Sequence, residues 1–178
     1  MKIGGKGGGN TVSGAVFERQ TDLKRVLENL DDIAVETTDN KNVFEVVKEG
    51  KVVGQLMQKY ALYKFLESKG VEYKNILSKR LLPDECYYSF ENSTLYICEK
   101  KYQNGNGSVD EKLQTCDFKK RQYKRLVQSM DNVNVEYFYV LNDFFNDTAY
   151  RDVLSYIEDV GCRYYFNEIP LDLLGFNK

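Results

Sequence analysis

The chain has 178 residues, 42% of them hydrophobic and 29% charged, which suits one folded domain with its own core and leaves no run of about 20 apolar residues to span a membrane. It contains no histidine, which excludes Ser-His-Asp and Cys-His catalysis, His-ligated zinc hydrolysis and histidine-dependent nuclease chemistry, and leaves carboxylates and lysine as the reactive groups. The net charge of −2 is uneven, with +5 over residues 100–125 and −7 over the remainder, so a local basic stripe can face phosphates, or simply form a solvated helix face.

Residues 4–14 are rich in glycine, and the reading is a flexible arm over about residues 1–13. It is not a phosphate loop, because Asn10 rather than Lys follows the last glycine of the run. The arm also lacks the apolar middle of a secretory signal, so a cytoplasmic protein is expected. Ser13 is placed as the cap of a helix running to about Leu30, with Val16, Leu23, Leu27 and Leu30 on one face and Glu18 and Asp22 on another. Short β-runs over 33–37 and 43–47, joined by Asp39-Asn40-Lys41-Asn42, predict a hairpin. A second helix is expected over about 55–68, with Gly70 at its end.

Pro83 forces Leu82 into an extended backbone and suits the approach to a strand. Residues 84–90 and 94–101 then read as two strands about the turn Glu91-Asn92-Ser93. After the break at 104–107, the capping box Ser108-Val109-Asp110-Glu111 opens a long helix to about Ser129, which carries most of the basic stripe. Val133 to Leu141 predicts a buried strand at the sheet centre, Asp147 or Thr148 caps a helix to about Asp159, and 162–166 supplies a last strand. This strand-helix-strand order implies a parallel crossover, hence an α/β fold with a mixed β-sheet flanked by helices, in a single domain over 1–178. The four cysteines, Cys86, Cys98, Cys116 and Cys162, form no C-x-x-C pair and are expected to be reduced packing residues.

The chemistry concentrates on the predicted hairpin. Glu99 and Lys101 share a face by the period of two, and pairing about the turn sets position 99 opposite roughly 85, within reach of Asp84. Two carboxylates can hold a hard cation such as magnesium, which activates water and neutralises a phosphodiester transition state, while a lysine orients the water and offsets charge. Lys100 should point to the opposite face. Glu85 is a rival ligand to Asp84, but Asp84 follows the proline.

Pro83-Asp84 followed by Glu99-Lys100-Lys101 resembles the P-D…E-x-K signature of the PD-(D/E)XK nuclease superfamily, and within it type II restriction endonucleases most closely. The resemblance takes in Gly9-Asn10-Thr11 through Phe17-Glu18, the approach Lys79-Arg80-Leu81-Leu82-Pro83-Asp84-Glu85 and the start Gly107-Ser108-Val109-Asp110-Glu111-Lys112, or roughly residues 7–126. It implies a restriction-endonuclease-like core in which Asp84 and Glu99 hold the metal and Lys101 assists the water. Glu18, on the first helix, would complete the metal site or bind a second ion. The implied cofactor is Mg2+, with Mn2+ as a substitute. The implied substrate is double-stranded DNA, cut by a homodimer with no membrane partner, and the implied further partner is a methyltransferase of the same site.

For DNA contacts, Lys79, Arg80, Lys112, Lys119, Arg121 and Lys124 are placed to neutralise phosphates, and Gln114 and Gln122 to read adenine in the major groove. A structure-specific repair or recombination nuclease, a noncatalytic DNA-binding relative and a small-molecule phosphohydrolase are the competing readings.

Overall fold

The computed structural model describes residues 12–105 and 109–176. Seven strands form one sheet in chain order: β1 (Ile33–Thr37), β2 (Val43–Lys48), β3 (Lys51–Met57), β4 (Glu85–Ser89), β5 (Thr94–Lys101), β6 (Asn134–Leu141) and β7 (Arg163–Phe166). Strands β1 to β5 pair antiparallel with their neighbours, and β5, β6 and β7 run parallel. Parallel neighbours need crossovers. Helices α5 (Val109–Leu113) and α6 (Cys116–Val127) make the first, and α7 (Arg151–Asp159) makes the second. The expected α/β class with a mixed, helix-flanked sheet is what the chain adopts.

The alternation of side chains along each strand divides the core in two. Cys86, Ile97, Tyr137 and Tyr139 face one way and pack under α3 (Ala61–Ser68), α4 (Tyr73–Ile76), α6 and α7, against Leu62, Leu66, Tyr73, Leu126 and Ile157. Tyr87, Cys98, Phe138 and Val140 face the other way, under α1 (Val12–Gln20), α2 (Leu23–Glu28) and α8 (Leu171–Leu174), against Phe17, Leu23, Leu27 and Leu174. All four cysteines are buried free thiols. Among the described residues no helix is long and apolar enough to cross a membrane.

Several elements depart from the sequence reading. The expected helix over 55–68 begins only at Ala61, because Lys51–Met57 is a third strand of the amino-terminal meander. Glu49 and Gly50 both take positive φ (48° and 74°) in a two-residue turn between Lys48 and Lys51, a tight hairpin geometry that Glu-Gly does not advertise in sequence. Leu56 and Met57 are both fully buried, which erases the alternation that marks a half-exposed strand. The first long helix is two helices. Thr21 donates its hydroxyl to the Phe17 carbonyl at 2.8 Å, and Asp22 caps α2 by accepting the Arg25 N–H at 2.9 Å, so short polar side chains compete with the helical ladder at that point. Helix α1 starts at Val12, which puts Ser13 inside it.

The basic helix is likewise split, with Thr115 donating to the Lys112 carbonyl at 2.7 Å between α5 and α6. Ser108 of the expected capping box, and the arm up to residue 11, lie outside the described residues. Asp147 does act as a cap, accepting the Ala149 N–H at 2.8 Å, but a 3-10 turn over Thr148–Tyr150 precedes α7. Strand β6 is buried as expected, yet it lies second from one edge of the sheet rather than at its centre.

Gly54 fixes how β3 meets β4. A β-carbon there would lie 2.4 Å from the Tyr87 ring and 2.5 Å from the Tyr88 carbonyl oxygen, so neither a rotamer change nor a small side-chain shift relieves the contact. Gly54→Ala is expected to destabilise the fold by about 1–3 kcal/mol. In urea it should lower the midpoint with little change in slope, and an unchanged midpoint would mean that β3 and β4 are not packed in this way.

Candidate active site

The path into β4 is fixed from the side of α3. The Tyr63 hydroxyl accepts the Leu81 N–H at 2.7 Å and donates to the Leu81 carbonyl at 2.8 Å, while Pro83 is buried. The β4–β5 register pairs Glu85 with Cys98, so Asp84 falls level with Glu99, one residue from the expected pairing of 85 with 99. One carboxylate oxygen of Asp84 accepts the Lys100 N–H at 2.8 Å. This bond ties the residue before β4 to the end of β5 and places both carboxylates on the α6 face of the sheet.

Three oxygens converge on the Lys101 ammonium: a Glu99 carboxylate oxygen at 2.8 Å, the Lys100 carbonyl at 2.9 Å and an Asp84 carboxylate oxygen at 3.5 Å. The second Glu99 oxygen is 3.2 Å from the Lys119 ammonium on α6. Two carboxylates thus face two ammonium groups. The Glu99 side chain is 7% exposed and that of Asp84 46%, so Glu99 anchors the group from within and Asp84 presents it to solvent. Burial pulls the Lys101 ammonium towards deprotonation, but Glu99 and Asp84 outweigh it and hold its pKa above the ordinary value. In this arrangement Lys101 is a cation, with its charge 5.9 Å from the centre of the Tyr139 ring.

The opposite face of the hairpin carries a second grouping. Lys100 points there, as expected, and its ammonium lies 2.7 Å from Glu85, with the two side chains 4% and 2% exposed. Glu85 also accepts the Leu23 N–H at the start of α2 at 3.1 Å and the Gln58 side-chain amide at 3.2 Å. Glu85 is therefore committed to a buried pair behind the sheet and does not share the oxygens around Lys101. Burial pushes its carboxyl up against the pull of Lys100. On Lys100 burial acts downwards, but Glu85 prevails and raises its pKa. Three hydrogen-bond donors on one carboxylate favour its ionised form, and we take the pair as charged.

Glu18 is exposed on α1, and its charge is felt at Lys100, on the Glu85 side of the sheet. Of the expected DNA contacts, Lys79 and Arg80 are exposed ahead of Asp84, and Lys112, Gln114, Arg121 and Lys124 are exposed on or between α5 and α6. Arg121 pairs with Asp117 at 2.9 Å, and Gln122 accepts from Arg125 at 2.8 Å. Lys119 is drawn into the carboxylate centre instead. Sequence reasoning also missed Asn142, whose side chain accepts the Gln103 N–H at 3.0 Å and donates to the Gln103 carbonyl at 2.8 Å. That pair ties the ends of β5 and β6 together just beyond Lys101. Its partners are far apart in the chain, and no local pattern marks them.

Among the described residues no three Asp, Glu or Cys side chains form an all-side-chain metal cage. Magnesium does not require one, since it commonly binds through one or two carboxylates and keeps several waters. The two carboxylates and one carbonyl around the Lys101 ammonium are hard oxygen donors already arranged about a positive charge, and they fit such an ion. Comparison with known proteins returns no matching family model, no similar curated protein and no similar solved structure.

Proposed function

We propose that the chain is a magnesium-dependent endonuclease that hydrolyses phosphodiester bonds of double-stranded DNA, with a PD-(D/E)XK type of core and the site specificity of a type II restriction enzyme. The observation that carries this reading is the convergence of Asp84, Glu99 and the Lys100 carbonyl on one cationic point, with Lys119 beside it, at the carboxyl ends of parallel β5 and β6. Crevices at such strand ends are where open α/β sheets bind ligands.

Asp84, Glu99 and the Lys100 carbonyl would hold the ion, and manganese, with the same preference for oxygen, would substitute for magnesium. The bound ion supplies Lewis acidity and a water acidified towards neutral pH. Lys101, beside both carboxylates, would orient the water and offset the charge developing on the phosphate. Lys119 keeps Glu99 in place and adds positive charge where the phosphate arrives. The exposed cations Lys79, Arg80, Lys112 and Lys124 extend this field along a duplex. A palindromic site would call for a homodimer, and protection of the host genome for a methyltransferase acting on the same sequence.

The test is incubation of unmethylated plasmid and phage DNA with the protein, in magnesium, manganese or EDTA. Discrete fragments that appear with either metal and vanish in EDTA are the expected outcome. Cleavage confined to branched DNA would replace restriction by structure-specific repair, and no cleavage of duplex or branched DNA with either metal would overturn the nuclease reading.

A further inference from the structure

Arg80 is exposed, yet it is held in place. Its guanidinium lies over the Tyr60 ring at 4.9 Å from the centroid and reaches the Tyr63 ring at 5.9 Å. The next residue, Leu81, is fastened to the Tyr63 hydroxyl through both its N–H and its carbonyl, so backbone and side chain are fixed together. Tyr60 is 54% exposed at the start of α3, reached through Lys59 in the left-handed conformation with φ 53°. Left-handed backbone at a lysine is uncommon and is tolerated where the surroundings fix it. Gln58, two residues earlier, is bonded to Glu85 behind the sheet, which ties this corner to the catalytic hairpin.

Among the described residues the Arg80 guanidinium forms no salt bridge with a carboxylate. Most exposed arginines wander among rotamers and lose that freedom on binding. This one lies over an aromatic ring beforehand, and it stays exposed to solvent with Lys79 exposed beside it. A planar guanidinium matches the oxygens of a phosphate. Its position in the chain, four residues before Asp84, sets it at the approach to the centre.

We propose that Tyr60 and Arg80 form a preassembled clamp for the nucleic-acid strand beside the scissile bond, with Arg80 holding a backbone phosphate and Tyr60 holding Arg80 in place. This rests on the reading of the Asp84 centre as one that acts on nucleic acid. It assigns Arg80 and Tyr60 to strand binding and not to the chemical step.

The experiment is equilibrium binding of a fluorescent DNA duplex by the full chain in EDTA across a salt series, with cleavage in magnesium measured separately. Arg80→Ala should weaken binding about tenfold at moderate salt and flatten the slope of log affinity against log salt by about one phosphate contact. Tyr60→Ala should weaken binding about two- to fivefold and leave the slope unchanged, because it removes the stack and keeps the charge. Arg80→Lys should likewise keep the slope and lose affinity, and Lys41→Ala, in the β1–β2 turn, should match wild type. Wild-type affinity and slope in Arg80→Ala, or failure of wild type to bind any duplex, would overturn the clamp. Binding that depends on Arg80 and Tyr60 without cleavage in metal would uphold the clamp and overturn the nuclease reading.

Discussion

Lys101→Ala is expected to lose cleavage by about 10²- to 10⁴-fold while still binding magnesium, whereas Asp84→Ala is expected to lose both cleavage and the metal. The difference follows from the convergence of three oxygens on the Lys101 ammonium. Removing the ammonium leaves Asp84, Glu99 and the Lys100 carbonyl in place, with Lys119 as the remaining cation at Glu99. The local charge becomes more negative by one, which favours a divalent cation. What would be lost is the group proposed to orient the water and offset charge on the phosphate. Removing Asp84 takes away the solvent-facing carboxylate and its bond to the Lys100 N–H, so both metal binding and the tie between β4 and β5 are weakened. Magnesium-induced stabilisation separates the variants without reference to activity. Wild type and Lys101→Ala should rise in Tm with magnesium, the variant at equal or lower concentration, and Asp84→Ala should not. A Lys101→Ala protein that cleaves at the wild-type rate, or an Asp84→Ala protein with the full magnesium shift, would sink the assignment.

How much of this was legible in sequence depends on the range of the forces involved. The β4–β5 hairpin was, because Pro83, the Glu91-Asn92-Ser93 turn and a run of β-formers act within a few residues, and the alternation along β5 correctly sent Glu99 and Lys101 to one face and Lys100 to the other. The crossovers to β6 and β7 followed from the order of the elements. Strand β3 was not legible. Its last residues are buried on both faces, and its identity is decided by pairing with β2 and β4, partners that a local window does not contain. The placement of Lys119 was hidden for a similar reason. A lysine among five cations on a helix reads as solvated surface, and only the docking of α6 against the sheet turns it towards Glu99. The rival standing of Glu85 was a matter of one residue. Adjacent carboxylates in a strand point to opposite faces, and the hydrogen bond from Leu23 on α2 shows which face Glu85 serves.

The pair behind the hairpin gives the largest expected effect on stability. Glu85→Gln or Lys100→Met alone is expected to cost about 3–5 kcal/mol, because each leaves the other charge almost fully buried without its partner. The double variant should lose less than the sum by at least about 1 kcal/mol, since neither charge remains, and glutamine at position 85 can still accept the Leu23 N–H. pH supplies an independent check. The folded-state pKa of Lys100 is raised by Glu85 despite burial, so its contribution is fully present below the unfolded lysine value of about 10.4 and is lost as pH rises through the folded value. The stability gap between wild type and the double variant should therefore shift against wild type in strongly alkaline urea titrations, and a gap independent of pH would mean that Lys100 is not the charged partner. Function should follow a different course. The Lys100 N–H that holds Asp84 belongs to the backbone and survives Lys100→Met, so the folded double variant should still gain stability from magnesium. Loss of the magnesium shift in a folded double variant would mean that the rear pair sets the geometry of the front carboxylates as well as the stability of the hairpin that carries them.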